Sequence, residues 1–229
     1  MEELIKLLND EFKEYENKNI LELKEILNID SGGKAVNNLI FNKIIDKSNS
    51  AEKIKELIKE KNCVIKTINF EWNYTLKESM SLKAFKYEEI VEEEWENSNL
   101  RMFFDETVFI FVILRTDFDK VIFERICVWK MPNEIIDTDV KKVWEQTKKY
   151  IQDGKIVKYI DNRNRYITYF PAKSDTKVIH VRPHARDFND CYKLPVKDVY
   201  TGKTEFMKHS FWINNSFIKK VVLGGKYSD

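Results

Sequence analysis

The sequence predicts a mixed α/β protein of the α+β kind, a central mixed sheet flanked by helices. Three observations predict it. Apolar residues recur at helical spacing through the first 61 residues. Val108, Phe109, Ile110, Phe111, Val112, Ile113 and Leu114 form an almost unbroken apolar run, as in a central strand covered on both faces. A long helical period over 137–153 then precedes a short β-branched run at 178–182.

Residues 2–17 place Leu4, Ile5, Leu8 and Phe12 on one stripe, and residues 20–28 repeat this with Leu23, Ile26 and Leu27. Asp30-Ser31-Gly32-Gly33 ends one helix and starts the next, over 34–46. Ser48-Asn49-Ser50 leads into a fourth helix over 51–61. Strands are expected at 63–72, 107–115 and 121–130, the last two joined through a turn at 116–120. Residues 87–95 form a short acidic helix between the first two. The helix at 137–153 has aspartates at its start and Gly154 past its end. A hairpin around Asn162-Arg163-Asn164 follows, then the strand at 178–182 and a terminal helix at 215–223. A chain of 229 residues buries a substantial core, so one domain is expected, with 1–61 mainly helical and 62–229 holding the sheet and its loops.

Composition excludes several classes. No apolar run approaches the roughly 18 residues of a membrane span. The acidic start, Met1-Glu2-Glu3, is unlike a signal peptide, so a soluble cytoplasmic protein is expected. Cys63, Cys127 and Cys191 are evenly and widely spaced, without metal-ligand clustering. The net charge of +1 is not that of a strongly basic binder. Charge is uneven, however: residues 173–209 hold eight Lys/Arg against five acids. A local positive face binds phosphate even on a near-neutral chain.

All three histidines lie near the C-terminus. His180-Val181-Arg182-Pro183-His184 is followed by Ala185-Arg186-Asp187, and Ser210-Phe211-Trp212-Ile213-Asn214-Asn215 comes later. Proline cannot donate to a sheet ladder, so a strand ends here and delivers polar side chains into a loop. Together with Lys66-Thr67, Lys77-Glu78-Ser79-Met80-Ser81, Ala84-Phe85-Lys86, Glu93-Glu94-Trp95 and Lys130-Met131-Pro132, these blocks carry a resemblance. The chain resembles the MutH-related family of DNA endonucleases, which includes type II restriction enzymes cutting at GATC. It is most similar to the non-catalytic C-terminal half of the two-domain members. The likeness covers roughly the last 160 residues and, more weakly, the first 60.

The resemblance implies a restriction-endonuclease-like fold of the PD-(D/E)xK type. There, carboxylates hold Mg²⁺, which polarises the scissile phosphate and activates water. In this sequence the family's lysine falls at Lys66, but Val64 stands two residues before it, where a glutamate is required. The helix glutamate falls at Phe41, and the aspartate near Leu57, beside Glu56. The implied active site is degenerate, with Lys66 its vestige, and no cofactor is expected for this chain; Mg²⁺ belongs to the family's catalytic domain. Acid-x-base triplets arise by chance in so charged a chain. Glu22-Leu23-Lys24 lies within a helix, and Asp175-Thr176-Lys177, before a strand, is the remaining candidate for a metal site.

The expected partner is double-stranded DNA. Arg182, His184 and Arg186 are the first candidates, because guanidinium forks fit phosphate and guanine. A salt bridge from Arg182 to Asp187 is the structural alternative. His180 faces either the core or the DNA, and a zinc site of His180, His184 and Cys191 is disfavoured by Pro183. The polar loop 187–208 supplies Asn189, Lys193, Lys203 and Lys208. Lys34 at a helix start and Ser79, Ser81 and Lys83 are candidate backbone contacts. Phe211 and Trp212 are read as core. The leading function is thus a non-cleaving, sequence-specific DNA-binding module, the effector half of a GATC restriction system, partnered by a catalytic nuclease domain or a second copy. The alternatives are an active Mg²⁺-dependent endonuclease, or a protein-interaction subunit for which the acidic stretch 88–96 speaks.

Overall fold

The structure, a computed structural model, describes residues 1–33 and 36–224; Lys34, a candidate phosphate contact, lies outside the described residues. Helices α1 (Glu2–Phe12), α2 (Ile20–Ile26), α3 (Val36–Lys47) and α4 (Ala51–Glu60) come first. Strands β1 (Cys63–Glu71) and β2 (Met80–Phe85) and helices α5 (Tyr87–Glu92) and α6 (Asn99–Glu106) follow. The hairpin β3 (Val108–Asp117) and β4 (Lys120–Lys130) leads into α7 (Asn133–Ile135), a π-helical turn (Ile136–Val140) and α8 (Lys141–Gln152). Strands β5 (Val157–Ile160), β6 (Tyr166–Thr168), β7 (Ile179–Pro183), β8 (Cys191–Lys193), β9 (Glu205–Met207) and β10 (His209–Ile213) precede α9 (Asn215–Leu223). The result is a mixed α/β fold. Among the described residues no helix is long and apolar enough to cross a membrane.

The chain forms two compact units: Met1–Lys77 with Glu106–Met131 and Val221–Gly224, and Glu78–Asp105 with Pro132–Lys220. In the first unit β1 runs parallel to β3, and β3 pairs antiparallel with β4. This is the expected mixed sheet. Leu4, Leu8 and Phe12 recur every four residues on α1, so they form one stripe, and all are buried with Leu23, Ile40, Phe41, Ile44, Ile54 and Leu57 against Ile110, Val112 and Leu114. The alternate positions Phe109, Phe111 and Ile113 are equally buried, which is why β3 reads as continuous hydrophobe. The β3–β4 turn is two residues, Phe118-Asp119, because Asp117 already pairs with Lys120; this is tighter than the five-residue turn expected. Asn28 and Asn62, just beyond α2 and α4, adopt positive φ, a conformation asparagine tolerates at helix ends.

In the second unit β10 is the centre of an antiparallel sheet of order β2-β10-β7, and β5–β6 and β8–β9 are separate two-stranded ribbons. The expected hairpin around Asn162-Arg163-Asn164 is β5–β6. Asp137 is not the helix cap expected of it. It lies in the π-helical turn and accepts from Trp95 Nε1 at 2.8 Å and Arg101 Nε at 3.0 Å, while the helical segment starts earlier, after Pro132. Gly154 ends α8 with φ of +63°, and a Cβ there would stand 2.7 Å from the Lys197 carbonyl, so only glycine fits without displacement.

Candidate nucleic-acid interface

Alternation along β7 and β10 sorts their side chains. Ile179, Val181, Phe211 and Ile213 are buried together with His209 on one side of the sheet. The other side carries His180, Arg182, Ser210 and Trp212, with His180 opposite Trp212 and Arg182 opposite Ser210. Arg182 and His184, at the open end of β7, are exposed. The Arg182 guanidinium lies over the Trp212 ring, 4.6 Å from its centroid. His184 meets the same ring edge-on at 5.6 Å, and its backbone N–H donates to the Lys208 carbonyl at 2.8 Å. Among the described residues no carboxylate lies within ion-pair distance of Arg182; Asp187, the acid of the alternative reading, instead accepts the Asn189 N–H at 2.8 Å. Stacking of a guanidinium on an indole near the surface contributes about 0.5–1 kcal/mol and restricts the guanidinium plane, leaving its edge N–H groups for a partner.

His180 does not face a ligand. It is buried, and its Nδ1 lies 2.5 Å from Asn214 Oδ1, while Asn214 Nδ2 donates to the Thr176 carbonyl at 2.9 Å. Burial lowers its pKa from the usual histidine value despite the Asn214 hydrogen bond, with Arg182 and Lys173 nearby adding to the fall. The candidate DNA contact is thus a structural pin between β7 and the start of α9.

The 187–208 loop is organised by two aspartates. Asp190 accepts from Lys208 Nζ and from the Arg186 backbone N–H at 3.1 Å, with Arg186 Nε 3.6 Å away. Lys208 and then Arg186 hold its carboxyl below the usual range. Lys208 also lies over Tyr192, 4.7 Å from the ring centroid. Asp198 is fully buried and accepts from the backbone N–H groups of Ile156, Val157 and Thr201 and from the Thr201 hydroxyl, all within 3.0 Å. Burial pushes its carboxyl up, but these hydrogen bonds outweigh burial and the net shift is down. Lys203 rests over Tyr166 at 4.9 Å, and Lys193 and Asn189 are exposed.

Ser79 serves the fold rather than a ligand, since its Oγ accepts the Asn215 N–H at 3.2 Å at the start of α9. Ser81 lies across from Trp212, and Lys83 is exposed on β2 beside an irregularity in the β2–β10 register. The interface candidates that come together on one strand end are therefore Arg182 and His184 on Trp212, with Arg186 and Lys208 tied to Asp190.

The nuclease-like positions are in the first unit. Phe41 stacks on Phe12, with centroids 5.1 Å apart, inside the helical core. Cys63 and Ile65 face that core, so Val64 and Lys66 point to the opposite side of β1. Leu57 lies buried in the same core as Phe41, so the positions matched to three carboxylates and a lysine do not converge on one side of β1. In the second unit Asp175 accepts the Ala172 N–H at 3.2 Å and the Ser174 hydroxyl at 2.8 Å, capping its own turn. It lines, with Lys177, Lys142 and Tyr150, an open groove of about 390 Å³. Cys191 donates to the Phe188 carbonyl at 3.2 Å. Among the described residues no three His, Cys, Asp or Glu side chains converge as metal ligands.

Sequence reasoning missed Trp212 as part of the surface. The signal was strand alternation: with Phe211 and Ile213 inward, Trp212 must face the side that carries Arg182.

No family model matches the chain. Among characterised proteins, it is similar to a type II restriction enzyme. That relative is Sau3AI of Staphylococcus aureus, 34% identical over 243 aligned positions that span 93% of this chain and 50% of that enzyme. The chain thus spans about half the length of the relative it matches.

Proposed function

We propose that this chain is a sequence-specific double-stranded-DNA-binding module of a type II restriction system, built on a restriction-endonuclease-like fold and acting as effector rather than cutter. Its site is GATC, and its partner is a catalytic nuclease domain or a second copy. The observation that carries the reading is Arg182: an exposed guanidinium stacked on Trp212, unneutralised by any described carboxylate, at the open end of a strand. Such a group gains most from a polyanion or a guanine edge, because among the described residues no carboxylate pairs with it. The similarity to a type II restriction enzyme supports the same direction.

The non-cleaving part rests on β1 and α3. A hard dication wants oxygen ligands, and Phe41 and Val64 offer hydrocarbon on opposite faces of β1, beside the cation Lys66. These residues do not fit Mg²⁺.

The test is a paired measurement on one preparation. A GATC duplex should be retarded in a gel at low salt and outcompete a scrambled duplex, with binding falling steeply as salt rises. Equal affinity for both duplexes removes the specificity. Plasmid incubated with Mg²⁺ should stay intact; cleavage abolished by EDTA and by Asp175→Ala would establish the nuclease alternative. No DNA binding at low salt, beside tight binding to a nuclease partner, would establish the interaction subunit.

A further inference from the structure

The β5–β6 hairpin is unexplained by the site above. Its tip, Asp161 to Arg165, is built around one carboxylate. Asp161 Oδ1 accepts the backbone N–H groups of Arg163 and Arg165, both at 2.9 Å, and its Oδ2 accepts Arg165 Nε at 2.8 Å. Backbone bonds Asp161 N–H to Arg165 O and Asn164 N–H to Asp161 O, both 3.0 Å, close the turn, with Asn164 at φ of +57°. Asp161 is thereby committed to the turn and to Arg165. Arg163, between the exposed Asn162 and Asn164, is itself exposed, and no described acid lies within ion-pair distance of it. Lys158 on β5 and Lys155, two residues before that strand, are exposed, Lys158 at an irregularity in the ribbon and 5.7 Å over Tyr169.

The hairpin is firmly mounted beside the 187–208 loop. Asp198 of that loop holds the Ile156 and Val157 N–H groups. Tyr166 on β6 packs on Phe206, with centroids 5.5 Å apart, under Lys203. A rigid two-stranded ribbon has the width of a B-DNA major groove, and Asn and Arg are the side chains with bidentate geometry for adenine and guanine edges.

We propose that this hairpin is a second DNA-contacting element, its Asn162-Arg163-Asn164 tip entering the major groove while Lys155 and Lys158 meet the phosphates. It rests on the DNA-binding reading above. Within the hairpin Arg163 is the base-contacting side chain, in addition to Arg182, and Asp161 positions its backbone.

Anisotropy titrations of labelled GATC and scrambled duplexes, over a salt series, test it. Arg163→Ala should weaken the GATC complex about tenfold and the scrambled one far less, the mark of a base contact. Its melting temperature should not move, since Arg163 makes no described side-chain contact. The Lys155→Ala, Lys158→Ala double variant should weaken both complexes alike and flatten the salt dependence by about two phosphate contacts. Arg163→Ala binding within twofold of the wild type, while Arg182→Ala binds poorly, would overturn the hairpin's role and leave the DNA reading standing. A wild-type chain that binds neither duplex at low salt would overturn both.

Discussion

Arg182 and Arg186 are four residues apart, as are His180 and His184, and in each pair the two side chains meet opposite fates. Arg182 lies on Trp212 without an acid, while Arg186 shares Asp190 with Lys208. His184 is exposed against the same indole, and His180 is buried on Asn214. Residue type and spacing do not decide which cation is available to a polyanion. What decides is the neighbour the fold supplies: an aromatic face orients a charge and leaves it whole, whereas a carboxylate cancels it.

The largest effect should come from what both regions stand on. His209, central in the sheet, is buried among Phe170, Phe206 and Tyr87, and burial pushes its pKa down to about 4. The folded value lies below the usual histidine value, so the unfolded chain takes the proton more readily. Its contribution is complete above about pH 6.5 and is lost as pH falls toward 4, a change of about 3 kcal/mol. His180, shifted the same way, adds to it. Urea midpoints at pH 7, 6 and 5 should fall in step, and His209→Phe should flatten that slope; a flat wild-type curve would show that acid spares the mount.

Arg182→Ala sharpens the comparison directly. Loss of a base-reading fork should cost about 2 kcal/mol, or roughly 30-fold in GATC affinity, with little change in stability. Arg182→Lys keeps the charge but loses the planar fork and the stack, and should recover only binding to the scrambled duplex. If Arg186→Ala, in competition assays, costs as much as Arg182→Ala, the distinction between free and neutralised cations is wrong.

Much of this architecture is legible in the sequence itself. The helices of the first unit announce themselves through Leu4, Leu8, Phe12 and their successors, and β3 through its unbroken apolar run, because burial writes a period into sequence. Strand β2 and helix α6 are not legible. Met80 to Phe85 is only half-buried and lacks strict alternation, and α6 is two turns long, signalled chiefly by the Ser98 hydroxyl accepting the Arg101 N–H at 3.2 Å. At the site, sequence names Arg182 and His184 but not their platform. It offers Asp187 as the acid for Arg182, when Asp190 and Asp198 organise the loop by contacts that depend on tertiary packing. A candidate such as Ser79 fails for the same reason: its hydroxyl serves a helix 136 residues away.

The smallest effect, and the one of opposite sign, should come from Asp190→Asn. Removing that charge frees Lys208 and Arg186 from the pairing that now occupies them. Asparagine keeps a side-chain oxygen that can accept the Arg186 N–H, so the loop and the fold should persist. Two released cations near the strand end should strengthen binding to any duplex about threefold at low salt and steepen its salt dependence. Because the gain is in phosphate contact, the ratio of GATC to scrambled affinity should shrink rather than grow. A loss of affinity for both duplexes would mean that Asp190 positions the loop on DNA instead of restraining its charge, and the contrast between Arg182 and Arg186 would then be one of geometry alone.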